Sequence, residues 1–213
     1  MELEQLIRIV GDEPVFETGF LLAGDVDPQD VLLQLSRWTK AGRLYQIRRG
    51  IYSLAPPYQK VKPHPFLIAN RMVRASYVSC QSALEFHALI PEHTPVIVSV
   101  TTSRPGRWET PLGAFEFRHI KKELLSGYQM SDLGGGQKAF VATPEKALLD
   151  LVYLQPAGDT ESYLNELRLK NLERLDLNRL QQLAAKSGSP KLLRAAARIA
   201  ATAGREVEEY RTL

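Results

Sequence analysis

The sequence predicts an α+β fold, in which helices and strands are grouped in different parts of the chain. Apolar residues recur at helical spacing near the amino terminus and again beyond residue 155. Between these parts, residues 96–101 are β-branched and residues 115–120 alternate apolar with polar, as strands do. We therefore expect a first domain over residues 1–61 and a second over residues 62–213, mixed α/β over 62–155 and helical over 156–213.

Length and composition are those of a folded protein. The chain has 213 residues, of which 44% are hydrophobic and 24% are charged, so global disorder is not expected. No run approaches the roughly 18 apolar residues of a membrane span, and the acidic start is unlike a signal peptide. A single cysteine, Cys80, excludes an intramolecular disulfide and is typical of a reducing compartment. We expect a cytoplasmic protein without a membrane partner.

The amino-terminal part of the chain predicts two helices. Apolar residues recur at helical spacing over residues 3–10, and a shorter apolar segment follows over residues 15–22. Asp27 is suited to cap a helix that begins at Pro28 and ends before Gly42. The face predicted to pack inward consists of Val31, Leu32, Leu35, Trp38 and Thr39. The opposite face consists of Gln29, Leu33, Ser36, Arg37 and Lys40.

A short β-hairpin is predicted directly after this helix. Residues 43–47 and 51–54 have the composition of strands, and Gly50 supplies the backbone freedom for the turn between them. Arg48 and Arg49 are thereby predicted to lie at the hairpin tip, beside the polar face of the helix. A helix, a tight turn and a two-stranded ribbon in this order predict a winged helix-turn-helix, bounded by the proline-rich segment that follows.

Charge is distributed unevenly between adjacent parts of the chain. Residues 31–84 carry nine basic side chains and no acidic one, whereas residues 1–30 carry one basic and eight acidic side chains. An acid-free basic surface on a helix and hairpin is typical of DNA binding, because bound phosphates must be neutralised. A solvated basic face without a partner is the alternative interpretation.

We assign a DNA-binding surface to eight residues of this region. The exposed helix face is expected to reach base edges in the major groove, and the basic residues beyond it to contact phosphates or the minor groove. Lys62 would assist from the linker. The predicted set is Gln29, Ser36, Arg37, Lys40, Arg43, Arg48, Arg49 and Lys60.

The second region predicts three strands among several helices. Strands are predicted at residues 96–101, 115–120 and 139–142, with a short extended segment at 77–79, and helices are predicted at 66–73, 82–89 and 144–153. Residues 103–108 are interpreted as a basic loop. On the helix that Thr143 caps, Lys146 alone lacks an evident structural role. A last helix, starting at Ser189, carries three basic residues that predict either a solvated face or additional basic surface: Lys191, Arg194 and Arg198.

Four segments resemble the AbiEi family of antitoxins. Residues 35–52, with "LSRWTKAGRL" followed by "IRRGIY", are similar to the winged-helix start of these proteins. The segments "YVSCQSALEFHALIP" (77–91), "VIVSVTTSR" (96–104) and "FVATPEKALLDLVY" (140–153) follow in the order and spacing of the family. The similarity covers roughly residues 1–155, and "TPEKALLDL" is its most distinctive piece.

The resemblance implies an antitoxin that also represses its own operon. Proteins of this type are bacterial transcriptional regulators in toxin–antitoxin and abortive-infection systems, which defend against phage. The resemblance therefore implies binding to inverted repeats in the promoter, with two copies of the chain meeting on the DNA. It also implies a cognate nucleotidyltransferase toxin, counteracted directly or indirectly through the larger domain.

Signals for an enzyme, a metal or a cofactor are weak. The four histidines (His64, His87, His93 and His119) lack metal-ligand spacing, and no cofactor motif is present, so we expect no catalytic residue, metal or cofactor. Glu116 and Arg118 on a predicted strand are faintly similar to nuclease strands that end in Glu-x-Lys. A DNA-tethered nuclease and a stand-alone regulator that responds to a small ligand are therefore the alternatives.

Overall fold

The computed structural model describes residues 1–23 and 26–211, with side chains up to residue 204. The amino-terminal part contains three helices and a three-stranded antiparallel sheet with the strand order β1-β3-β2. Its elements are α1 (Leu3–Val10), β1 (Phe16–Glu17), α2 (Thr18–Leu21), α3 (Pro28–Lys40), β2 (Leu44–Arg48) and β3 (Ile51–Leu54). As predicted, Pro28 begins α3, and the Asp27 carboxylate accepts a hydrogen bond of 2.7 Å from the Gln29 amide.

The rest of the chain forms a six-stranded mixed sheet and six helices within the described residues. They are α4 (Pro65–Met72), β4 (Ser76–Val78), α5 (Cys80–Phe86), β5 (Val96–Thr101), β6 (Gly106–Thr110), β7 (Gly113–His119), β8 (Tyr128–Asp132), β9 (Lys138–Ala142), α6 (Pro144–Leu154), α7 (Glu161–Glu166), α8 (Leu177–Lys186) and α9 (Pro190–Arg211). The strand order is β6-β7-β5-β4-β9-β8, with β5–β7 and β4–β9 parallel and the other pairs antiparallel. The predicted α+β class is confirmed.

Two strands and one helix face differ from the sequence predictions. Both strands at the edges of the large sheet, β6 and β8, were missed, because they are half-exposed and lack a β-branched run. Residues 106–108, interpreted as part of a basic loop, lie on β6. Leu32 was predicted to pack inward but is 51% exposed, since the buried stripe of α3 is narrower than predicted and consists of Val31, Leu35 and Trp38.

The small sheet is covered on both faces. Phe16, Leu44 and Tyr52 face the apolar core that α1 and α3 complete. Val15, Ile47 and Ile51 instead join the large core of residues 66–203. The predicted boundary at residue 61 falls between β3 and α4, and apolar packing connects the parts on either side of it. On α3, the face opposite Val31, Leu35 and Trp38 is exposed.

No helix in the described part of the chain is both long enough and apolar enough to cross a bilayer.

Candidate nucleic-acid interface

The exposed face of α3 gathers the side chains that were predicted to read DNA bases. Gln29, Ser36, Arg37 and Lys40 are all exposed and lie on one face of the helix. From Gln29 to Lys40 this face extends about 16 Å, at 1.5 Å per residue. Leu33, which is 48% exposed, lies at its centre, within one or two helical turns of each of the four polar residues. An exposed helix face of this length and chemistry is suited to the major groove.

The carboxyl-terminal end of α3 is basic, and its amino-terminal end is acidic. Arg37, Lys40 and Arg43 are exposed, and none has a carboxylate within 4 Å among the residues that the structure describes. Asp27 caps the helix, and Asp30 lies in its first turn. Arg43 is held close to the helix because its amide donates to the Trp38 carbonyl at 2.9 Å. The attraction for phosphate is therefore concentrated at one end of the helix.

The hairpin between β2 and β3 has a tip of only two residues, Arg49 and Gly50. Gly50 has a positive φ of 79°, as the predicted turn requires. Its carbonyl accepts hydrogen bonds from the Thr18 amide at 2.9 Å and the Thr18 hydroxyl at 3.3 Å, which hold the tip against α2. The Arg49 side chain is exposed beside this contact. The hairpin consequently presents one arginine to solvent without projecting far from the body of the protein.

Arg48, predicted to contact phosphate, instead points toward the second half of the chain. Its Nη1 donates to the carbonyl of Met72 at 2.5 Å, and its guanidinium lies 4.9 Å from the centre of the Trp108 ring. The pairing register shifts between Gln46 and Arg48, and this bulge on β2 turns the side chain away from its neighbour Arg49. The structure therefore does not bring Arg48 together with the exposed basic residues.

Most of the remaining basic candidates are engaged within the chain. Lys60, predicted to assist on DNA, lies 3.2 Å from Asp12 in an ion pair whose side chains are 55% and 78% exposed. Lys62 is exposed. On α9, Lys191 donates to the Gln155 carbonyl at 2.5 Å, and Arg194 and Arg198 both bind Asp159. The last helix therefore uses its basic residues to hold neighbouring segments.

A buried polar cluster that the sequence did not predict lies beneath α6. Asp150 accepts hydrogen bonds from the Lys146 ammonium, from the Tyr77 hydroxyl at 2.9 Å and from the Ser79 hydroxyl at 2.7 Å. All four residues are buried. Burial raises the pKa of Asp150, although its three donors oppose the rise, and burial beside Asp150 raises the pKa of Tyr77. Lys146 and Asp150 are four residues apart on one helix, and this spacing is the feature from which the sequence could have predicted the pair.

The buried cluster gives a structural role to the polar residues of "TPEKALLDL", the most distinctive segment of the sequence. Thr143 caps α6, and Pro144 occupies its first turn. Glu145 is buried and accepts a hydrogen bond of 3.0 Å from the Asp176 amide. Lys146, the residue without an evident role, has Asp150 as its partner. Each polar residue of "TPEKALLDL" thus has a partner inside the protein, and the segment supports the fold.

Residues considered for nuclease or ligand binding do not form an enclosed site. Glu116 pairs with Arg118 at 2.7 Å. Within the described residues, no group of three or more histidine, cysteine, aspartate or glutamate side chains could hold a metal ion. Glu116 and Arg118 border an open groove of about 670 Å³ with Arg107 and His119. This groove is shallow and lacks the deep apolar pocket expected of a small-ligand sensor.

Comparisons with known proteins give a fold relative. No protein-family model and no curated protein matches the chain. The fold is shared with a solved structure. The crystal structure of the RV2827C protein from Mycobacterium tuberculosis superposes with a TM-score of 0.57 at 17% sequence identity, covering 94% of this chain and 75% of that chain. At this identity the similarity concerns the fold alone.

Proposed function

We propose that this protein is an antitoxin of the AbiEi type that represses its own operon. In this proposal, residues 1–61 form a winged helix-turn-helix that binds inverted repeats in the promoter. The C-terminal region counteracts a cognate nucleotidyltransferase toxin. The observation that carries the DNA-binding part is the exposed basic surface formed by Arg37, Lys40 and Arg43 at the end of α3, for which the described residues supply no carboxylate partner.

The arrangement of the amino-terminal elements supports a winged helix. Helix, strand, two helices and a two-stranded ribbon follow one another, and β1 pairs with β3 beside β2. In a winged helix the helix before the ribbon enters the major groove, which would be α3 here. Its buried stripe packs on α1 and the small sheet, so the polar face of Gln29, Ser36, Arg37 and Lys40 is the one available to DNA.

The two ends of α3 would have different tasks on DNA. Arg37 and Lys40, which the sequence predicted to reach base edges, would here join Arg43 in neutralising phosphates along one strand. Arg49 at the hairpin tip would contact the backbone next to them. Gln29 near the other end would reach bases, where a glutamine pairs with adenine. Leu33 lies between these polar side chains, where it would meet the methyl group of a thymine. Inverted repeats require two protomers on the DNA.

The antitoxin part of the proposal depends on the family resemblance. The segments at residues 77–104 and 140–153 carry that resemblance, and they build the centre of the large sheet and α6. The polar residues of the most distinctive segment are buried, so a toxin would contact other residues of the C-terminal region. The proposal includes both direct contact with the toxin and indirect counteraction.

The test of DNA binding compares two triple variants of equal charge. In one protein, alanine replaces Arg37, Lys40 and Arg43. In the other it replaces Arg104, Lys121 and Lys122, which are also exposed. Binding to the DNA upstream of the protein's own gene is titrated by fluorescence anisotropy at several salt concentrations. We expect the first variant to lose about tenfold or more in affinity and roughly 2.7 units of salt slope, at 0.9 per phosphate. Equal behaviour of the two variants would contradict the assignment.

The test of the antitoxin role uses the same variants in cells. The neighbouring gene of the operon is expressed alone and together with each variant, and growth is measured. We expect the α3 variant to restore growth as the unchanged protein does, because toxin neutralisation is assigned to the C-terminal region. A neighbouring gene that is harmless, or a loss of rescue with an intact fold, would overturn this part of the proposal.

A further inference from the structure

Arg48 connects the hairpin to two separate elements of the C-terminal region. The Met72 carbonyl that it binds belongs to the last residue of α4, where helix carbonyls lack partners within the helix. A cation at this end is also favoured by the helix dipole. Trp108, beneath the guanidinium, lies on β6. The Arg48 side chain therefore donates a hydrogen bond to a carbonyl that lacks a partner within its helix, and its guanidinium lies over an aromatic ring.

The surroundings of Arg48 restrict its position. The Trp108 ring packs edge-to-face on Phe117 with centroids 5.4 Å apart, and Phe117 is buried in the large sheet. Ile47, the preceding residue, is buried in the core of the C-terminal region. Near the other edge of the small sheet, Arg74 pairs with Glu17 at 3.0 Å. Arg48 thus belongs to a continuous contact between the small sheet and the second half of the molecule.

We propose that Arg48 is a positioning residue, which seats the hairpin on α4 and β6 so that α3 and Arg49 meet DNA in a fixed orientation relative to the C-terminal region. The inference rests on the proposed DNA binding for its functional consequence. The two neighbouring arginines then have separate roles. Arg49 is exposed and contacts phosphate, whereas Arg48 faces inward and acts through the hairpin that carries Arg49.

Salt titration separates a positioning residue from a phosphate ligand. Arg48→Ala loosens the hairpin, so the affinity for promoter DNA should fall about tenfold, since a less preorganised surface binds more weakly. The salt slope should equal that of the unchanged protein, because no phosphate contact is lost. Arg49→Ala is the matched control and should reduce the slope by about 0.9. Arg48→Lys keeps the charge but not the planar stack, and should recover the affinity only in part.

Trp108 provides a readout that requires no DNA. The chain has a second tryptophan, Trp38, so all variants are made in a Trp38→Phe background, in which the emission comes from Trp108 alone. Arg48→Ala should shift the Trp108 emission, because the cation leaves the ring, and Arg49→Ala should not. Arg48→Gln, which can still donate to the Met72 carbonyl, serves as a second variant if the alanine variant unfolds early in a thermal melt.

The outcomes distinguish a failure of the positioning role from a failure of the proposed function. A shifted emission with an unchanged salt slope supports the positioning role. A slope that falls as in Arg49→Ala, or an emission that none of the Arg48 variants alters, overturns it. If the unchanged protein binds no upstream DNA, the proposed function fails and the positioning role for DNA fails with it. The emission shift would still report the contact between Arg48 and Trp108.

Discussion

Charge is arranged in opposite ways on the outer face of α3 and beneath α6. At the end of α3, Arg37 and Lys40 are exposed and have no carboxylate within 4 Å among the described residues. Beneath α6, Lys146 and Asp150 are paired in the interior, and Tyr77 also donates to the carboxylate. The charges on α3 lie in water and have no carboxylate partner among the described residues. The charges beneath α6 are paired with each other and bonded to neighbouring side chains.

The difference follows from the cost of leaving a charge alone. An unpaired cation in water is stabilised by the solvent and is free to exchange that solvent for a phosphate. An unpaired charge in the interior costs several kcal/mol, because the solvent is absent. An unpaired surface charge is therefore available to a binding partner, whereas the buried pair has a structural role.

The largest expected effect comes from breaking the buried pair. Asp150→Ala leaves the Lys146 ammonium buried without a counter-charge and the Tyr77 and Ser79 hydroxyls without an acceptor. We expect the free energy of unfolding to fall by about 3–5 kcal/mol, measured by urea denaturation.

The control removes both charges together. Lys146→Met combined with Asp150→Leu replaces the pair by apolar side chains of similar volume, and should be clearly more stable than Asp150→Ala. If the single and double variants lose the same free energy, the pair does not stabilise through charge matching. The comparison with α3 would then lose its basis.

Local signals in the sequence were enough to predict α3 and the hairpin. Asp27 and Pro28 start the helix, Gly42 follows its end, and Gly50 makes the turn, so each boundary depends on residues that are close in sequence. The polar face of α3 follows from the same helical period. These elements could be predicted because their geometry does not require distant partners.

The inward turn of Arg48 could not be predicted in this way. It depends on a bulge in β2 and on partners 24 and 60 residues further along the chain, at Met72 and Trp108. The burial of Lys146 likewise depends on α6 being covered on all sides. A run of basic residues in the sequence therefore does not reveal which members face solvent, because tertiary packing decides it.

A smaller effect is expected from His64, which must stay uncharged. Its Nδ1 accepts a hydrogen bond of 3.1 Å from the Phe66 amide and caps α4, and burial lowers its pKa below the ordinary 6.5. The unfolded chain therefore binds the proton more readily than the folded one, and this contribution to stability is lost as the pH falls below about 6.5. A lost cap costs on the order of 1 kcal/mol.

The matched variant for this prediction is His64→Asn, which can cap the helix without titrating. The free energy of unfolding is measured for both proteins from about pH 7.5 down to about pH 5. We expect the difference between them to change by about 1 kcal/mol in favour of the asparagine variant as the pH falls. A difference that is constant with pH would show that protonation of His64 does not compete with the cap.

The smallest effect is expected at Lys60, whose surface pair is intermediate between the two regions. Lys60 and Asp12 are 3.2 Å apart but largely exposed, so solvent screens their attraction. A double-mutant cycle with Lys60→Ala and Asp12→Ala should give a coupling free energy of about 0.2–1 kcal/mol in low salt and less in high salt.

Because the attraction is weak, Lys60 can leave Asp12 for a phosphate, and Asp12→Ala alone should strengthen binding to promoter DNA slightly. A coupling as large as that of the buried pair, or weaker DNA binding by Asp12→Ala, would place Lys60 with the structural charges.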